Sequence, residues 1–521
     1  MKKIFCFSIL SILTSFLSAQ NNDYNIWQLM PHQYSNGNYS GQQMMSYVIQ
    51  TNGDSAKTIV IDGGLGGPLF QDDATYLKNF LGIIGREHVD AWFITHSDED
   101  HLLALTNILN TPGNITIDTI YYSFPCADDI TDQSKKAAYL DICDRAGISD
   151  CEECWLYVQD QHDGDVLMQS YRPYKLALQN TSLNVATHSL NTDEDYYFDN
   201  IRIHILKVCN PNLDWYPYNE GRNDQSVVFK ILGQNPDTLK TILFLGDLGR
   251  RGGTELIDSE QDIVADYVQM AHHGMHAILP DNPSFYNEVS PKYALWPSPK
   301  SVYYYVNEKN VNDKSDKDAI NDAGVLHNYV SGIEGLVLIP GCLSNLPSSI
   351  NIPDVTYTFD ATTPNLIMGN HISNSGNVLI NGDASLYLIS TNEIDINADS
   401  GTFVATYQST FRAQIVPECN PSLELMQSQK KKLTISIPKD DRINIYPNPV
   451  DESIQIKFNL KNDALNNVTL FSVRGDKLRE TGWFNMREGI KTMNLNDISG
   501  GIYILKIYTG GEIITKKIIV K

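Results

Sequence analysis

The sequence predicts an α/β layered fold continued by all-β segments, and three observations carry that reading. Between about 22 and 345, short apolar strand-like runs alternate with stretches of helical spacing, the pattern of sheets covered by helices. After about 345 the helical period vanishes, and short alternating runs follow one another through Asn, Gly and Ser turns. From 441 onwards the chain reads as a further β unit. At 521 residues and 42% hydrophobic, the chain is long and apolar enough for several cores.

The elements follow in order. "MKKIFCFSILSILTSFLSAQ" has a basic start at Lys2 and Lys3, an apolar run from Ile4 to Leu17, and a small pair, Ser18-Ala19, suited to cleavage. Residues 1–19 are therefore expected to be a signal peptide. No other run approaches the ~18 apolar residues of a membrane helix, so no transmembrane span is expected.

"SYVIQT" and "KTIVIDGG" read as strands, and "DDATYLKNFLGIIG" as a helix stopped near Gly85. "VDAWFITH" is a buried strand, and "DHLLALTNIL" starts a helix. Residues 124–195 are polar, tyrosine-rich and poorly periodic, which predicts an inserted cap or long loop. "FDNIRIHILKV", "SVVFKIL", "TILFLGD", "IVADYVQMAHHG" and "PKYALWPS" complete the sheet-forming set.

Residues 346–425, including "ISNSGNVLINGDASLYLISTNEIDI", resemble the stacked-strand spacers of surface proteins. Residues 426–440 read as a linker, with Lys430–Lys432 as a solvated hinge. Residues 441–521 open on "INIYPNPV", pass through "VTLFSVRGDKL" and close on "GIYILKI" and "KKIIVK". They resemble the C-terminal sorting domain of the type IX secretion system. That resemblance implies the type IX machinery as a partner and an extracellular or surface-attached product.

Export permits disulfides. Beyond Cys6 the cysteines are Cys126, Cys143, Cys151, Cys154, Cys209, Cys342 and Cys419. The cluster from Cys126 to Cys154 favours two local disulfides, although its C-x-x-C leaves half a zinc site or a redox pair open. The pairing is not readable from spacing.

Charge narrows the function. With 62 acidic against 39 basic residues the net charge is -23, so no extended nucleic-acid-binding surface is expected. A local reversal at a site is still compatible with this.

The chemistry concentrates in "FITHSDEDHL". His96, Asp98, Asp100 and His101 follow an apolar strand and precede a helix. Carboxylates this close repel one another unless a cation shares their charge, and His with Asp is a donor set suited to a divalent metal. The H-x-D-x-D-H spacing resembles the signature of the metallo-β-lactamase superfamily, in the variant familiar from the hydrolase domain of ComEC competence proteins. "VIDGG" with Asp62, "NDQSVVFKIL", "TILFLGDLG" with Asp247, "YVQMAHHGMHA" with His272 and His273, and "VSPKYALWPS" follow in the order of that branch.

The resemblance implies an αββα sandwich over 22–345 and one or two divalent ions, Zn or Mn. It implies His96 and Asp98 for one metal position, Asp100 and His101 for the other, and Asp247 between them. One of His272 and His273 would be a ligand and the other would face substrate or the leaving group, without the sequence saying which. Asp100, His272 and His273 are the expected catalytic residues. Asn223 and Ser226 are candidates for substrate binding or, equally, for a turn or strand start, and Asp62 is expected to brace the ligand loop.

One departure matters. The family's usual third histidine has no counterpart, since His162, His188 and His204 each fit a structural place better. With Asp98 where a histidine is usual, the first position is poor in nitrogen and either favours manganese or is weak or empty.

The expected activity is secreted phosphodiester hydrolysis by water acidified at the metal, on a small-molecule or phosphodiester substrate. Carboxylester, lactone or amide hydrolysis on the same fold, or a surface-displayed binding protein with a degenerate hydrolase domain, are the alternatives.

Overall fold

The computed structural model describes residues 24–29, 45–52, 55–65, 73–163, 167–213 and 222–233. It also describes 241–339 apart from 276–277, 280, 300–301 and 304–314, then Leu343 and most of 346–520. The signal-peptide segment 1–19 and most of the 426–440 linker lie outside the described residues.

The N-terminal half is built on two seven-stranded sheets. The first contains β1 (Tyr24–Gln28), β2 (Ser46–Thr51), β3 (Thr58–Asp62), β4 (His88–Phe93), β5 (Thr116–Tyr122) and β6 (Ala186–Ser189). The second contains β7 (Asp195–Phe198), β8 (Ile201–Lys207), β9 (Val228–Gly233), β10 (Thr241–Phe244), β11 (Tyr267–Gln269), β12 (Tyr293–Trp296) and β13 (His327–Val330). A last strand, β14 (Val337–Ile339), returns to the first sheet, whose order is β14-β1-β2-β3-β4-β5-β6. The second runs β13-β12-β11-β10-β9-β8-β7. In each sheet an antiparallel part meets a parallel part, at β3-β4-β5-β6 and at β10-β11-β12-β13.

The strands are apolar on both faces because both faces are covered. In β3, Ile59 and Ile61 enter the core between the sheets with Phe93, Phe229, Ile242 and Phe244. Val60 points the other way, to a core with Trp92 and two helices, α1 (Asp73–Ile83) and α2 (Glu99–Asn110). Leu77, Phe80 and Leu81 of α1 and Leu102, Leu105 and Leu109 of α2 supply the helical side of that core. Gly85, just past α1, has φ 67°, a conformation that ends helices. On the second sheet, Leu243 and Val268 face outward against Leu256 and Phe285. Layers of helix, sheet, sheet and helix result, the αββα sandwich expected.

The stretch expected to be an inserted cap or long loop is helical. Before β6 it forms α3 (Gln133–Ala146), α4 (Cys151–Asp163), a π-helical turn at Leu167–Tyr171 and α5 (Arg172–Asn180). Its periodicity is weak in α3, where Cys143 is the one fully buried residue, whereas α4 and α5 send Trp155, Leu156, Tyr174 and Ala177 into the core. Cys126 is bonded to Cys151 and Cys143 to Cys154, as two local pairs. β6, placed by sequence inside the insertion, and β7, which begins at the insertion's last residue, are edge strands of the two sheets. Each disulfide restricts the unfolded chain by about 2–4 kcal/mol. Reduction is therefore expected to open the 127–180 segment to limited proteolysis, with the flanking sheets cut more slowly.

Beyond Ile350 the described strands pair in parallel. Ile350–Ile352, Leu366–Asn374, Ser385–Ile396 and Thr410–Ile415 stack in one sheet, and Val355–Tyr357, Val378–Ile380 and Phe403–Ala405 in another. Ile352, Ile372, Leu386, Leu388 and Phe411 fill the space inside this all-β spacer. The last strands form two antiparallel sheets around Ile456, Leu470, Leu505 and Ile518, a β-sandwich.

Candidate metal centre

The parallel strands of both sheets end on one rim. In layered α/β proteins, sites form beyond the carboxyl ends of such strands. Asp62 ends β3, His96 follows β4, Asp247 follows β10, and His272 and His273 follow β11. Asp100 and His101 lie in the first turn of α2, which leaves the β4 loop at Asp98.

Four of these side chains converge. The ligand atoms of Asp100, His101, Asp247 and His273 lie within 4.8 Å of one another. His101 Nε2 is 3.3 Å from Asp247 Oδ1, and His273 Nε2 is 3.0 Å from Asp100 Oδ2. His96 and Asp98 stand to one side, with His96 Nε2 3.7 Å from Asp98 Oδ2 and 3.9 Å from Asp247 Oδ2.

The orientation of each ring is fixed from behind. Asp62 Oδ2 faces His101 Nδ1 at 2.8 Å and also accepts from Thr95 Oγ1, while its Oδ1 accepts from Thr95 N. His273 Nδ1 lies 2.9 Å from the Pro297 carbonyl oxygen, which only an N–H at that nitrogen satisfies. Both Nε2 lone pairs are thereby directed into the cluster. His101 Nε2, His273 Nε2 and Asp247 Oδ1 are buried there without a formed hydrogen bond. Buried polar atoms converging in this way are costly alone and suit a divalent cation. The donor set, two imidazole nitrogens with carboxylate oxygens, fits zinc and manganese alike.

Asp247 is held by its own bracing. Its N–H donates to Ser226 Oγ at 3.1 Å, and the preceding Gly246 has φ 55° with Thr95 and Ser226 against it. A Cβ at Gly246 would lie 2.8 Å from Thr95 Cβ, so this turn requires glycine. Gln269 accepts from Leu245 N and donates to the Gly246 carbonyl, tying the β10 exit to β11.

His272 and His273 have φ of 46° and 56°, left-handed values that non-glycine residues adopt at about 1–2 kcal/mol each. The next residue, Gly274, has φ 80° and sits so close to Trp296 that a Cβ would overlap the indole. This turn sends the two rings apart. His273 is 1% exposed and enters the cluster, whereas His272 is 26% exposed and lies 3.5 Å from Asn223 Nδ2.

The electrostatics follow from burial and proximity. Burial works against charge on His101, but Asp247, Asp62 and Asp100 outweigh it and hold its pKa well above the usual imidazole value. For His273 burial is again opposed by Asp247 and Asp100, and the pKa is pushed up to about 9. Burial raises the carboxyls of Asp100 and Asp247, yet His101 and His273 hold both below the ordinary carboxylate range. His272 is lowered, chiefly by burial.

Sequence reasoning thus named the groups that meet here and left open which histidine of the pair turns inward. It left Ser226 open between substrate binding and a turn or strand start. Ser226 is fully buried behind Asp247, so its role is bracing and not substrate contact. Asn223 does flank His272 on the rim. His188 and His204 lie away from the cluster, beside Glu194 and Asp195 respectively. The side chain of His162 lies outside the described residues. Sequence reasoning missed Thr95, Gln269 and Arg222. Arg222 Nε lies 3.1 Å from Asp98 Oδ1, and nothing in its local sequence marks it.

The helical insertion closes one side. A narrow crevice is lined by His96, Ser97, Arg222 and Gln225 together with Phe124, Trp155 and Leu156. Ser170 Oγ donates to the Ser97 carbonyl, joining the insertion to the loop that carries the cluster.

Bracing from behind makes Asp62 testable. Asp62→Ala is expected to weaken divalent-metal affinity by about 10–100-fold with the four converging side chains intact. Calorimetric titration of the metal checks it, and an unchanged affinity would remove Asp62 from the account.

Residues 444–521 match the secretion system C-terminal sorting domain family. The chain is a secreted protein. The domain directs it through the type IX machinery to the outer surface, and among the described residues no helix is long and apolar enough to cross a membrane. No curated protein matches the chain.

Among solved structures, it is similar to the metallo-β-lactamase fold protein YhfI of Bacillus subtilis, at 11% identity over 59% of this chain and 96% of that one, TM-score 0.31. It is also similar to CmlA, a diiron β-hydroxylase of Streptomyces venezuelae, at 10% identity over 60% and 53%, TM-score 0.30. A long-form RNase Z from yeast aligns at 10% identity over 55% and 39%, TM-score 0.28. Likenesses at these scores carry no argument. The layers and the cluster stand on this chain's own strands and side chains.

Proposed function

We propose that the secreted chain is a metal-dependent hydrolase of the ComEC-like branch of the metallo-β-lactamase superfamily, acting on phosphodiesters. The observation that carries the proposal is the convergence of Asp100, His101, Asp247 and His273 within 4.8 Å on the rim where the parallel strands end. The H-x-D-x-D-H spacing from His96 to His101 supports the choice of branch and, through it, of phosphodiesters.

Asp100, His101, Asp247 and His273 would hold the ion. A bound divalent ion supplies Lewis acidity and lowers the pKa of water. The chain's residues do the rest. Asp62 and the Pro297 carbonyl keep both ligand rings in the tautomer with Nε2 free. His272, neutral at pH 7 because burial lowers its pKa, stands on the accessible side to exchange a proton with substrate or leaving group. Asn223 Nδ2, beside His272 Nε2, holds that ring or a substrate oxygen. Phe124, Trp155 and Leu156 keep water away from one side of the cleft.

The test is a substrate panel on the full-length chain with added zinc or manganese. It sets bis(p-nitrophenyl) phosphate against p-nitrophenyl acetate and an acyl lactone. Turnover of the diester well above the carboxyl compounds is expected. The reverse order would move the assignment to carboxyl chemistry, and no turnover with either metal would leave a binding protein.

A further inference from the structure

The His96 and Asp98 side of the centre is built differently from the other. Asp98 occupies the N-cap of α2, where an aspartate normally accepts from the first free N–H groups of its helix. Here its side chain makes no capping bond. One oxygen is turned to Arg222 Nε at 3.1 Å and the other to His96 Nε2 at 3.7 Å. Arg222 and Asp98 are 17% and 18% exposed, so little water intervenes to screen the pair. A guanidinium stays charged at any working pH and cannot be a ligand. His188 and His204 do not serve this side, since they lie beside Glu194 and Asp195 respectively.

We propose that Arg222 takes the place of a first metal ion by neutralising Asp98, so that the protein binds one divalent cation, at Asp100, His101, Asp247 and His273. The inference rests on the metal-centre reading and adds its stoichiometry. Arg222 and His96 also line a crevice with Phe124 and Trp155.

The experiment is a Co²⁺ titration of the metal-stripped full-length protein, followed by visible absorption and by equilibrium dialysis. Equivalents retained by Asp247→Asn are subtracted as binding elsewhere. The wild type is expected to take one equivalent. Arg222→Gln, which leaves the Asp98 carboxylate without its guanidinium, is expected to take a second. The Arg222→Gln/Asp98→Asn pair is expected to return to one. Asp98→Asn alone is expected to keep one equivalent, and because it leaves Arg222 in place it guards against misfolding of the arginine variant. Two equivalents in the wild type, one in a folded Arg222→Gln, or none in Asp98→Asn would each overturn the proposal. Absence of any specific cobalt in the wild type would instead overturn the metal centre itself.

Discussion

Asp247→Asn is expected to abolish metal-dependent diester hydrolysis, lowering kcat/KM by about 10³-fold or more while the fold persists. Asp247 is 3% exposed, and both its oxygens face imidazole nitrogens, Oδ1 that of His101 at 3.3 Å and Oδ2 that of His273 at 3.5 Å. Asparagine keeps the shape but removes the charge that balances the cation, and a bound ion supplies several kcal/mol of charge stabilisation in the transition state. Its backbone N–H still reaches Ser226 Oγ, so the loop should hold. Steady-state kinetics with elemental analysis of the same sample separates the outcomes. Lost activity with lost metal supports the account, whereas full activity without metal contradicts it.

Raising pH from 6 to 8 is expected to strengthen metal binding by about 10²-fold or more. The metal-free centre holds His101 above its ordinary pKa and His273 at about 9, so protons compete with the ion for both rings. An ion needs both Nε2 lone pairs, and each proton it displaces contributes tenfold per pH unit. The stability of the metal-free protein moves the opposite way. Histidines whose folded pKa is raised stabilise the fold fully below the unfolded value near 6.5, and that contribution is lost as pH rises through the folded values. Asp100 and Asp247, with folded values lowered, stabilise above the unfolded carboxylate value and fail only in acid, below it. Thermal unfolding with and without chelator between pH 6 and 9 checks both signs. The two curves should diverge as pH rises, and parallel curves would mean that the histidines do not exchange protons for metal.

The parts of this molecule legible in its sequence were those with a local signature. The continuous apolar runs in "TIVID" and before His96 gave strands buried on both faces. The six-residue spacing from His96 to His101 gave a cluster of donors on one strand-to-helix loop. Hidden from sequence was whatever depends on meetings between distant segments. Arg222 reaches Asp98 only because the loop before β9 folds over α2. The inward turn of His273 is set by three successive left-handed residues, of which only Gly274 announces such a backbone. Ser226 stood equally for substrate binding or a strand start, and only the fold shows that, three residues beyond Asn223, the chain has already passed beneath Asp247. The helices of the insertion were hidden because α3 fully buries only Cys143 and the apolar anchors of α4 and α5, such as Trp155, Leu156 and Tyr174, are few and set among polar residues, with disulfides and Tyr171 beside Asp150 and Glu152 adding to the hold.

The central claim is that one divalent cation is held at the rim by Asp100, His101, Asp247 and His273. Anomalous diffraction from a crystal of the full-length protein grown with zinc or manganese tests it most directly. The account predicts one peak among these four side chains, at about 2.0–2.2 Å from His101 Nε2 and His273 Nε2, with Arg222 still against Asp98. A peak coordinated by His96 and Asp98, or no peak in the cluster, would contradict it.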